Sequence, residues 1–461
     1  MRGSILAYLW GTAHLATAVP ADTQHVLAPA PDIPSVWAQH GDYTVPDAVL
    51  AALHEYPDPV AAFVALHPEA EAVMAEPRLL QVIGDSKPEW RTEGDKLRLR
   101  RQVKKFIDIT DHADFYAELV HEASAGKPNL PDLVHESLVR PLFPKVDTGR
   151  MLDVLEHMTG YYNRYFNDIH GELSSEWLHD HIAQVIIPSS NSAATYQDGA
   201  NIQSTKIIAK SPHRTHISLE YFTHPFRQSS IIARFEPKVR NFSAPLTILG
   251  AHQDSANYLF PLLPAPGADD DCSGTVSILE AFRILAETGY TPQNGPVEFH
   301  WYAAEEGGLL GSQHIARYKK EQGARIGAMM EFDMTAFIAR NATETIGFIA
   351  TQADDALTNW TVSLSKKYIS IPAKVYDLPG GAGSDYMSYT QLGYPAAFAS
   401  EGNPKAGGNF PGEFDPYVHG VCDTMWVDDE TGSFSVDHMA RFTELAIAFV
   451  VEQSGWDNKW R

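Results

Sequence analysis

The amino-acid sequence predicts an α/β protein: a three-layer sandwich with a central mixed, mostly parallel sheet and helices on both of its faces, preceded by a small, mainly helical region. Short, fully apolar runs typical of buried strands alternate with segments of helical periodicity, which favours a sheet covered on both faces. The composition, with 44% hydrophobic and 20% charged residues among 461, is that of a globular protein and excludes disorder, a collagen-like fibre and a coiled coil.

The charge balance and the cysteine count exclude several classes of partner and of metal site. There are 35 basic and 58 acidic residues, a formal net charge of −23, and a surface of this sign repels phosphate backbones and anionic lipids. We therefore expect no nucleic-acid partner and no membrane association. The two cysteines, Cys272 and Cys422, are too few for a disulfide-dense scaffold or a zinc finger built on thiolates. Any metal must be held by histidine, aspartate and glutamate.

Residues 1–21 have the features of a secretory signal peptide. Arg2 gives a positive start, Ile5–Ala18 is mostly apolar, and Ala16-Thr17-Ala18 has the small-residue pattern that signal peptidase accepts. A buried N-terminal helix is the alternative. We expect a secreted, extracellular protein, in which three Asn-x-Ser/Thr triplets are candidate glycosylation sites, at Asn241, Asn341 and Asn359.

Residues 22–140 form the predicted N-terminal region, in which short amphipathic pieces broken at prolines indicate small helices. A basic run, Lys96–Lys105, interrupts this otherwise acidic chain. It has two interpretations: the solvated face of a helix, or part of a propeptide that is cut during secretion at an exposed Arg100-Arg101 or Lys104-Lys105 pair. From about Val146 the periodic segments become longer, so residues 141–461 form the predicted main domain.

Strands and helices alternate through the main domain. Ser273–Thr288 carries apolar residues on one helical face, with Gly289 just past its end as a C-terminal cap, and a second apolar stripe runs from Val436 to Val450. The runs predicted as buried strands are Leu246–Leu249, Val297–Tyr302, Met329–Phe332, Ile346–Ile349 and Pro395–Phe398.

Ionisable side chains follow three of these strands. His252 and Asp254 follow the first, Glu305 and Glu306 the second, and Asp333 the third. In open α/β sheets, active sites gather beyond the carboxyl ends of the strands. Taken singly, each residue has a structural interpretation, such as a buried core histidine or a solvated charge pair. Together they would crowd several carboxylates into one cleft, where like charges repel.

Bound cations would remove this repulsion. Asp269–Asp271, a run that could merely cap the following helix, lies between the first two strands, and a late loop supplies His419. Two imidazoles with several carboxylates and no thiolate suit zinc with an open or water-filled position. Asp254, on the same face of the strand end as His252, is placed to accept the other ring N–H of this histidine.

Several motifs, in this order along the chain, resemble the secreted two-zinc aminopeptidases of metallopeptidase family 28, and among them the leucine aminopeptidases of fungi and some bacteria. The resemblance covers the chain from about Pro144 to its end. It implies a secreted exopeptidase that removes apolar, leucine-like residues from peptides with a free N-terminus. We also expect this exopeptidase to be made as a zymogen and to act as a monomer. The motifs are His252-x-Asp254-Ser255, Pro266-Gly267-Ala268-Asp269-Asp270-Asp271-x-Ser273-Gly274, Ala303-Ala304-Glu305-Glu306-x-Gly308, Glu331-Phe332-Asp333-Met334-Thr335, Gly383-Ser384-Asp385 and Val418-His419.

The resemblance also implies a role for each matching residue. Asp270 would bridge two zinc ions, Glu305 would be the general base, and Asp254 would orient His252. The other implied residues are His252 and Asp333 on one zinc, Glu306 and His419 on the other, Ser384 and Asp385 as groups supporting the ligands, and Met334, Phe410, Phe414 and Val418 around the first side chain of the substrate.

Two features go beyond the shared motifs. Some relatives place a tyrosine, which can hydrogen-bond the oxyanion, where this chain has Gly381. Cys272 closely follows Asp270 and Cys422 closely follows His419, so in this family we expect the two cysteines to lie near each other. We predict a Cys272–Cys422 disulfide, with two buried free thiols as the alternative.

Two other functions are compatible with the same fold. One is a glutaminyl cyclase-like acyltransferase that holds a single zinc ion, and the other is a non-catalytic binding domain that has lost its ligands. The intact Asp269–Asp271 run and the complete set of five ligands with Glu305 favour the peptidase.

Overall fold

The computed structural model describes residues 44–113, 128–186, 195–198, 205–210, 216–239, 241, 243–379, 382–408 and 410–457. The predicted signal peptide, residues 1–21, and Gly381 lie outside the described residues. Within them, no helix combines the length and the apolar character that crossing a bilayer requires.

The N-terminal region contains short helices and a small sheet. The helices are α1 (Asp47–Glu55), α2 (Pro59–Leu66), α3 (Glu71–Met74) and α4 (Glu93–Arg101). Pro59 takes the first position of α2, and Thr92 and Asp95 form a reciprocal capping box at the start of α4. An antiparallel sheet of β1 (Pro77–Val82), β2 (Glu89–Thr92) and β3 (Phe106–Asp108), in the order β2-β1-β3, was not predicted. Its strands are short and β2 is largely exposed, so no buried apolar run marks it.

The basic run lies in α4 and in the turn that leads to β3. The prediction of a solvated helix face is wrong at Lys96 and Arg100, which are buried, whereas the propeptide stays a prediction. Lys96 is 2% exposed and forms ion pairs with Asp108 and Glu93. Arg100 is 3% exposed, so the Arg100-Arg101 pair is not an exposed cleavage site. Arg100 is buried because it packs against the main domain and donates to the Glu306 carbonyl, whereas the acidic partners of Lys96 belong to the N-terminal region itself.

The central sheet has ten strands in the order β13-β12-β14-β10-β8-β9-β7-β6-β5-β4. Its middle strands β14, β10, β8 and β9 are mutually parallel, and antiparallel neighbours extend the sheet on both sides. Another sheet pairs β11 (Phe337–Ala339) with β15 (Gly432–Phe434). The strands of the central sheet are β4 (Thr195–Asp198), β5 (Thr205–Lys210), β6 (His216–Phe222), β7 (Ser230–Glu236), β8 (Leu246–His252), β9 (Val297–Tyr302), β10 (Ile326–Phe332), β12 (Ile346–Ile349), β13 (Ala373–Tyr376) and β14 (Ala396–Glu401).

Helices cover both faces of this sheet, which confirms the predicted three-layer α/β fold. Successive residues of β8 point to opposite faces, so Leu249 packs into the larger apolar cluster and Ile248 into the other. The larger cluster includes α6 (Thr148–Thr159), α7 (Ile169–Ile186), α8 (Gly274–Glu287), α10 (Asp355–Tyr368) and α12 (Val436–Ser454), with α5 (Glu136–Val139) beside them; the other includes α9 (Leu310–Glu321) and α11 (Tyr386–Gln391).

The predicted helix ends agree with the observed ones. The segment predicted over Ser273–Thr288 forms α8, and Gly289 follows it with φ 74°. This left-handed conformation, together with the bond from the Tyr290 amide to the Leu285 carbonyl, closes the helix as the sequence predicts. The C-terminal stripe forms α12, which packs along α8.

Candidate metal centre

Three adjacent parallel strands deliver the predicted site residues to one edge of the sheet. β8 ends at His252, β9 leads through a tight turn to Glu305 and Glu306, and β10 is followed by Asp333. Because β10, β8 and β9 are neighbours in the sheet, their carboxyl ends meet. All four side chains are buried.

Asp270 lies between the two histidines. Its Oδ1 is 3.0 Å from Nε2 of His252, and its Oδ2 is 2.9 Å from Nε2 of His419. Asp333 Oδ1 is 3.7 Å from His252 Nε2, and Glu306 Oε1 is 3.6 Å from His419 Nε2. The five residues therefore form two groups that share one carboxylate.

Asp271 also lies within ligand distance of His252 and Asp333, but its oxygens are already engaged. Oδ1 accepts hydrogen bonds from the Gly274 and Met334 amides, and Oδ2 accepts one from the His252 amide. Gly274 permits this arrangement, because a Cβ there would lie 2.2 Å from the Phe332 carbonyl oxygen. Asp271 thus fixes the backbone around the centre, and Asp270 is the carboxylate that faces both histidines.

Asp254 connects His252 to the turn that carries the two glutamates. The His252 Nδ1 atom is 3.2 Å from the Asp254 carbonyl oxygen and 3.4 Å from its Oδ1. The Asp254 carboxylate accepts hydrogen bonds from the amides of Glu305 and Glu306, at 3.0 and 3.1 Å. Its contacts with those two amides were not predicted from the sequence.

Glu305 is fully buried and contacts the N-terminal region. Its Oε2 is 2.7 Å from Nζ of Lys105, whose side chain is 14% exposed. Burial raises the pKa of Glu305 well above its usual value, although the Lys105 ammonium acts in the opposite direction. Arg100 donates to the Glu306 carbonyl, and the Asp108 amide donates to the Gly308 carbonyl. The N-terminal region therefore lies directly against the predicted general base.

The donor set fits a bound cation. Among the described residues, His252 Nε2, Asp333 Oδ1 and Glu305 Oε1 are buried and have no hydrogen-bond partner. Burial lowers the pKa of His252, but the carboxylates of Asp254, Asp270 and Asp333 outweigh burial and raise it. The centre thus stabilises positive charge, and imidazole with carboxylate oxygens is a donor set that zinc accepts.

The backbone is strained at three positions around the centre. Ala304, Met334 and His419 have φ values of 57°, 57° and 59°, in the left-handed region that costs non-glycine residues about 1–2 kcal/mol. Ala304 precedes Glu305 and Met334 follows Asp333, so each strained residue is a predicted site residue or adjoins one. Such strain persists where the surrounding structure holds the residue in place.

The predicted Cys272–Cys422 disulfide is wrong, since both cysteines are buried free thiols. Cys272 packs into the larger apolar cluster beside α8, whereas Cys422 belongs to a separate small cluster with Phe337 and Tyr417. Burial raises the pKa of each thiol to about 12. The two segments are instead connected by the residue after Cys422.

Asp423 makes that connection and was missed in the sequence. Its Oδ1 accepts a hydrogen bond from the Asp269 amide at 2.7 Å, and its Oδ2 accepts one from the Asp270 amide at 3.1 Å. The loop that carries His419 thus holds the backbone of the shared carboxylate. Only the position of Asp423 close after His419 could have indicated this contact.

Ser384 and Asp385 are fully buried at the start of α11. Burial raises the pKa of Asp385 to about 7, and the neighbouring charges that influence it are those of His252, Asp254 and Asp333. Asp385 therefore lies near His252 and Asp333, and the supporting role of Ser384 and Asp385 stays a prediction.

The predicted pocket residues belong to one apolar cluster. Met334, Phe414 and Val418 are buried in it, and Phe410 packs against it. Ile107 and Ile109 of the N-terminal region join the same cluster.

At the surface, the three candidate glycosylation residues, Asn241, Asn341 and Asn359, are all exposed.

Known proteins resemble this chain in sequence and in fold. The leucine aminopeptidase 1 of Chaetomium globosum is 35% identical over 378 residues, which cover 80% of this chain and 83% of that protein. The leucine aminopeptidase 1 of Grosmannia clavigera is 33% identical over 399 residues, covering 84% and 88%.

The fold comparison agrees. The crystal structure of the LapA aminopeptidase of Legionella pneumophila superposes with a TM-score of 0.64 and 24% identity, over 83% of this chain and 99% of that one. Residues 230–443 match the description of peptidase family M28. This segment includes all five predicted ligands. The chain therefore belongs to peptidase family M28, and the protein is a hydrolase.

Proposed function

We propose that the protein is a secreted, monomeric aminopeptidase that uses a pair of zinc ions to remove apolar, leucine-like residues from peptides with a free N-terminus. The observation that carries this proposal is the position of Asp270, with one carboxylate oxygen toward His252 and the other toward His419. Relatives named leucine aminopeptidase share about a third of the sequence over most of the chain.

The ligand roles follow from these distances. His252 and Asp333 would hold one ion, Glu306 and His419 the other, and Asp270 both. Zinc bound in such a site supplies a Lewis acid and lowers the pKa of its bound water to about 7.

Glu305 would be the general base. Its Oε1 has no hydrogen-bond partner among the described residues, so this oxygen can take the proton of the attacking water and pass it to the leaving amine. The Asp254 carboxylate accepts a hydrogen bond from the Glu305 amide and so holds the backbone from which the Glu305 side chain extends. Gly381 has no phenol hydroxyl to donate to an oxyanion, so either another donor or the ions would supply that stabilisation.

The apolar cluster around Met334 supports a preference for apolar first residues. Met334 directly follows the ligand Asp333, and Val418 directly precedes the ligand His419. A leucine side chain placed there would bury apolar surface, which stabilises binding by about 25 cal/mol per Å².

The N-terminal region would be a propeptide, with residues 22–140 as the proposed extent. In support, Lys105 engages Glu305, and Ile107 and Ile109 occupy part of the apolar cluster proposed as the pocket. A substrate could not use Glu305 while this region is in place. The signal-peptide pattern of residues 1–21 and the three exposed Asn-x-Ser/Thr sites support secretion.

Glu305→Gln tests the proposal. Glutamine keeps the size of the side chain but cannot take a proton. After removal of the N-terminal region, leucine-p-nitroanilide hydrolysis should therefore fall by about 10²–10⁴-fold relative to the wild type, while the zinc content stays at two ions per chain. Glu321→Gln, at a half-exposed position of α9, serves as the matched control and should retain full activity.

Other outcomes would contradict the proposal. Normal turnover by the Glu305→Gln variant would exclude Glu305 as the base. Release of ammonia from a peptide with N-terminal glutamine, without hydrolysis of leucine-p-nitroanilide, would favour the glutaminyl cyclase alternative. A wild-type protein that binds zinc but acts on neither substrate after removal of the N-terminal region would favour a binding domain.

A further inference from the structure

Tyr258 lies beside the second group of ligands, and its ring is stacked on the imidazole of His419. The two ring centroids are 3.6 Å apart and the planes differ by 2°. Tyr258 belongs to the loop between β8 and the Asp269–Asp271 run, so it comes from a different segment than the histidine it covers. The stack leaves the His419 ring little freedom to rotate.

The phenol hydroxyl of Tyr258 contacts a second ligand. It donates a hydrogen bond of 2.8 Å to Oε2 of Glu306. The other oxygen, Oε1, is the one that lies 3.6 Å from Nε2 of His419. The two carboxylate oxygens of Glu306 are therefore divided between two tasks, one held by the phenol and one directed to the cation site.

The backbone of Tyr258 makes the third contact. Its amide donates to the carbonyl of His419 at 3.0 Å. Because His419 has a left-handed backbone with φ 59°, it needs neighbours that hold it there. A phenylalanine would fill the same buried space and keep both the stack and the amide bond, so packing alone does not explain the hydroxyl.

We propose that Tyr258 is the positioning residue of the second zinc site, which fixes the Glu306 carboxylate through its hydroxyl and the His419 ring through its aromatic face. The inference rests on the proposed function, since it assumes that Asp270, Glu306 and His419 hold zinc. It extends that function by assigning to the side chains of this site a support distinct from Asp254, which contacts the His252 ring of the first site and only the backbone amide of Glu306 at the second.

Zinc titration of the metal-free protein against a competing chelator tests the inference. His419→Ala, which removes a ligand of the second site, identifies which of the two dissociation constants belongs to that site. Loss of a hydrogen bond to a ligating carboxylate typically weakens metal affinity by about 10–100-fold. Tyr258→Phe should raise the dissociation constant of the second site by this factor and leave that of the first within about twofold.

Two further variants complete the design. Tyr258→Leu removes the stack as well as the hydroxyl and should weaken the second site further than phenylalanine does. Tyr162→Phe is the matched control, because the hydroxyl of Tyr162 donates to the Leu262 carbonyl and touches no ligand. Both zinc dissociation constants of this variant should equal those of the wild type.

The failures can be told apart. If the wild type binds fewer than two zinc ions, the proposed zinc pair fails and the inference fails with it. If the wild type binds two and Tyr258→Phe leaves both constants unchanged, or weakens both sites equally, the inference fails alone. Far-ultraviolet circular dichroism of the metal-free variants should match the wild type, because phenylalanine preserves the packing.

Discussion

Replacing Lys105 with methionine should raise the activity of the full-length protein before the N-terminal region is removed. The Lys105 Nζ atom lies 2.7 Å from Glu305 and 3.6 Å from Glu306, and Glu305 is completely buried. Methionine keeps most of the apolar stem but leaves the Glu305 charge without its partner. Breaking a buried ion pair in this way costs about 3–5 kcal/mol. The partial exposure of Lys105 places the cost near the lower end.

This cost falls on the closed arrangement, in which the N-terminal region covers Glu305. Since about 1.4 kcal/mol corresponds to a factor of ten, a loss of about 3 kcal/mol should raise the open fraction, and the basal hydrolysis with it, by about 100-fold. This holds while the open form remains a minority. After removal of the N-terminal region, the variant and the wild type should be equally active.

The assay is hydrolysis of leucine-p-nitroanilide by full-length protein, before and after limited proteolysis, at saturating zinc. Lys104→Met is the control, since this neighbouring lysine is exposed and its variant should behave as the wild type. Equal basal activities of Lys105→Met and wild type would refute the role assigned to the Lys105–Glu305 ion pair.

The structure also predicts the effects of two other perturbations on the unfolding free energy. Asp423→Asn replaces one acceptor oxygen with an N–H donor opposite the Asp269 and Asp270 amides. We expect the unfolding free energy to fall by about 1–3 kcal/mol and both zinc ions to bind more weakly. Urea unfolding identical to that of the wild type would contradict this expectation. Burial lowers the pKa of His300, so between pH 7 and 5 the unfolded chain binds a proton that the native ring does not. The unfolding free energy should therefore fall as the pH is lowered, by up to about 1.4 kcal/mol per pH unit. His300→Gln should flatten this slope, and an unchanged slope would contradict the role of His300.

Strands that are buried on both faces could be predicted from the sequence because their apolar runs are nearly continuous. β8, β9 and β10 were found in this way, and with them the strand ends that carry His252 and Glu305. β7 was missed although it is mostly buried, since Arg234 interrupts its apolar run. The structure explains this residue: Arg234 faces Glu298 on the neighbouring strand and forms an ion pair with it at 2.7 Å.

The motifs predict the candidate ligands, but not the contacts that hold these residues in place. Lys105 and Glu305 are 200 positions apart, and Asp423 and Asp269 are 154 positions apart, so no local periodicity connects them. The disulfide prediction failed for the same reason, because closeness to ligands in sequence does not determine the direction in which Cys272 and Cys422 point. Side-chain direction is set by tertiary packing, which places the two thiols in different apolar clusters.

X-ray diffraction from zinc-loaded crystals, with data on both sides of the zinc absorption edge, tests the proposed zinc pair around Asp270 directly. We predict two anomalous peaks, one between Asp270, His252 and Asp333 and the other between Asp270, Glu306 and His419. A single peak, or peaks that do not share Asp270, would contradict the account of this site.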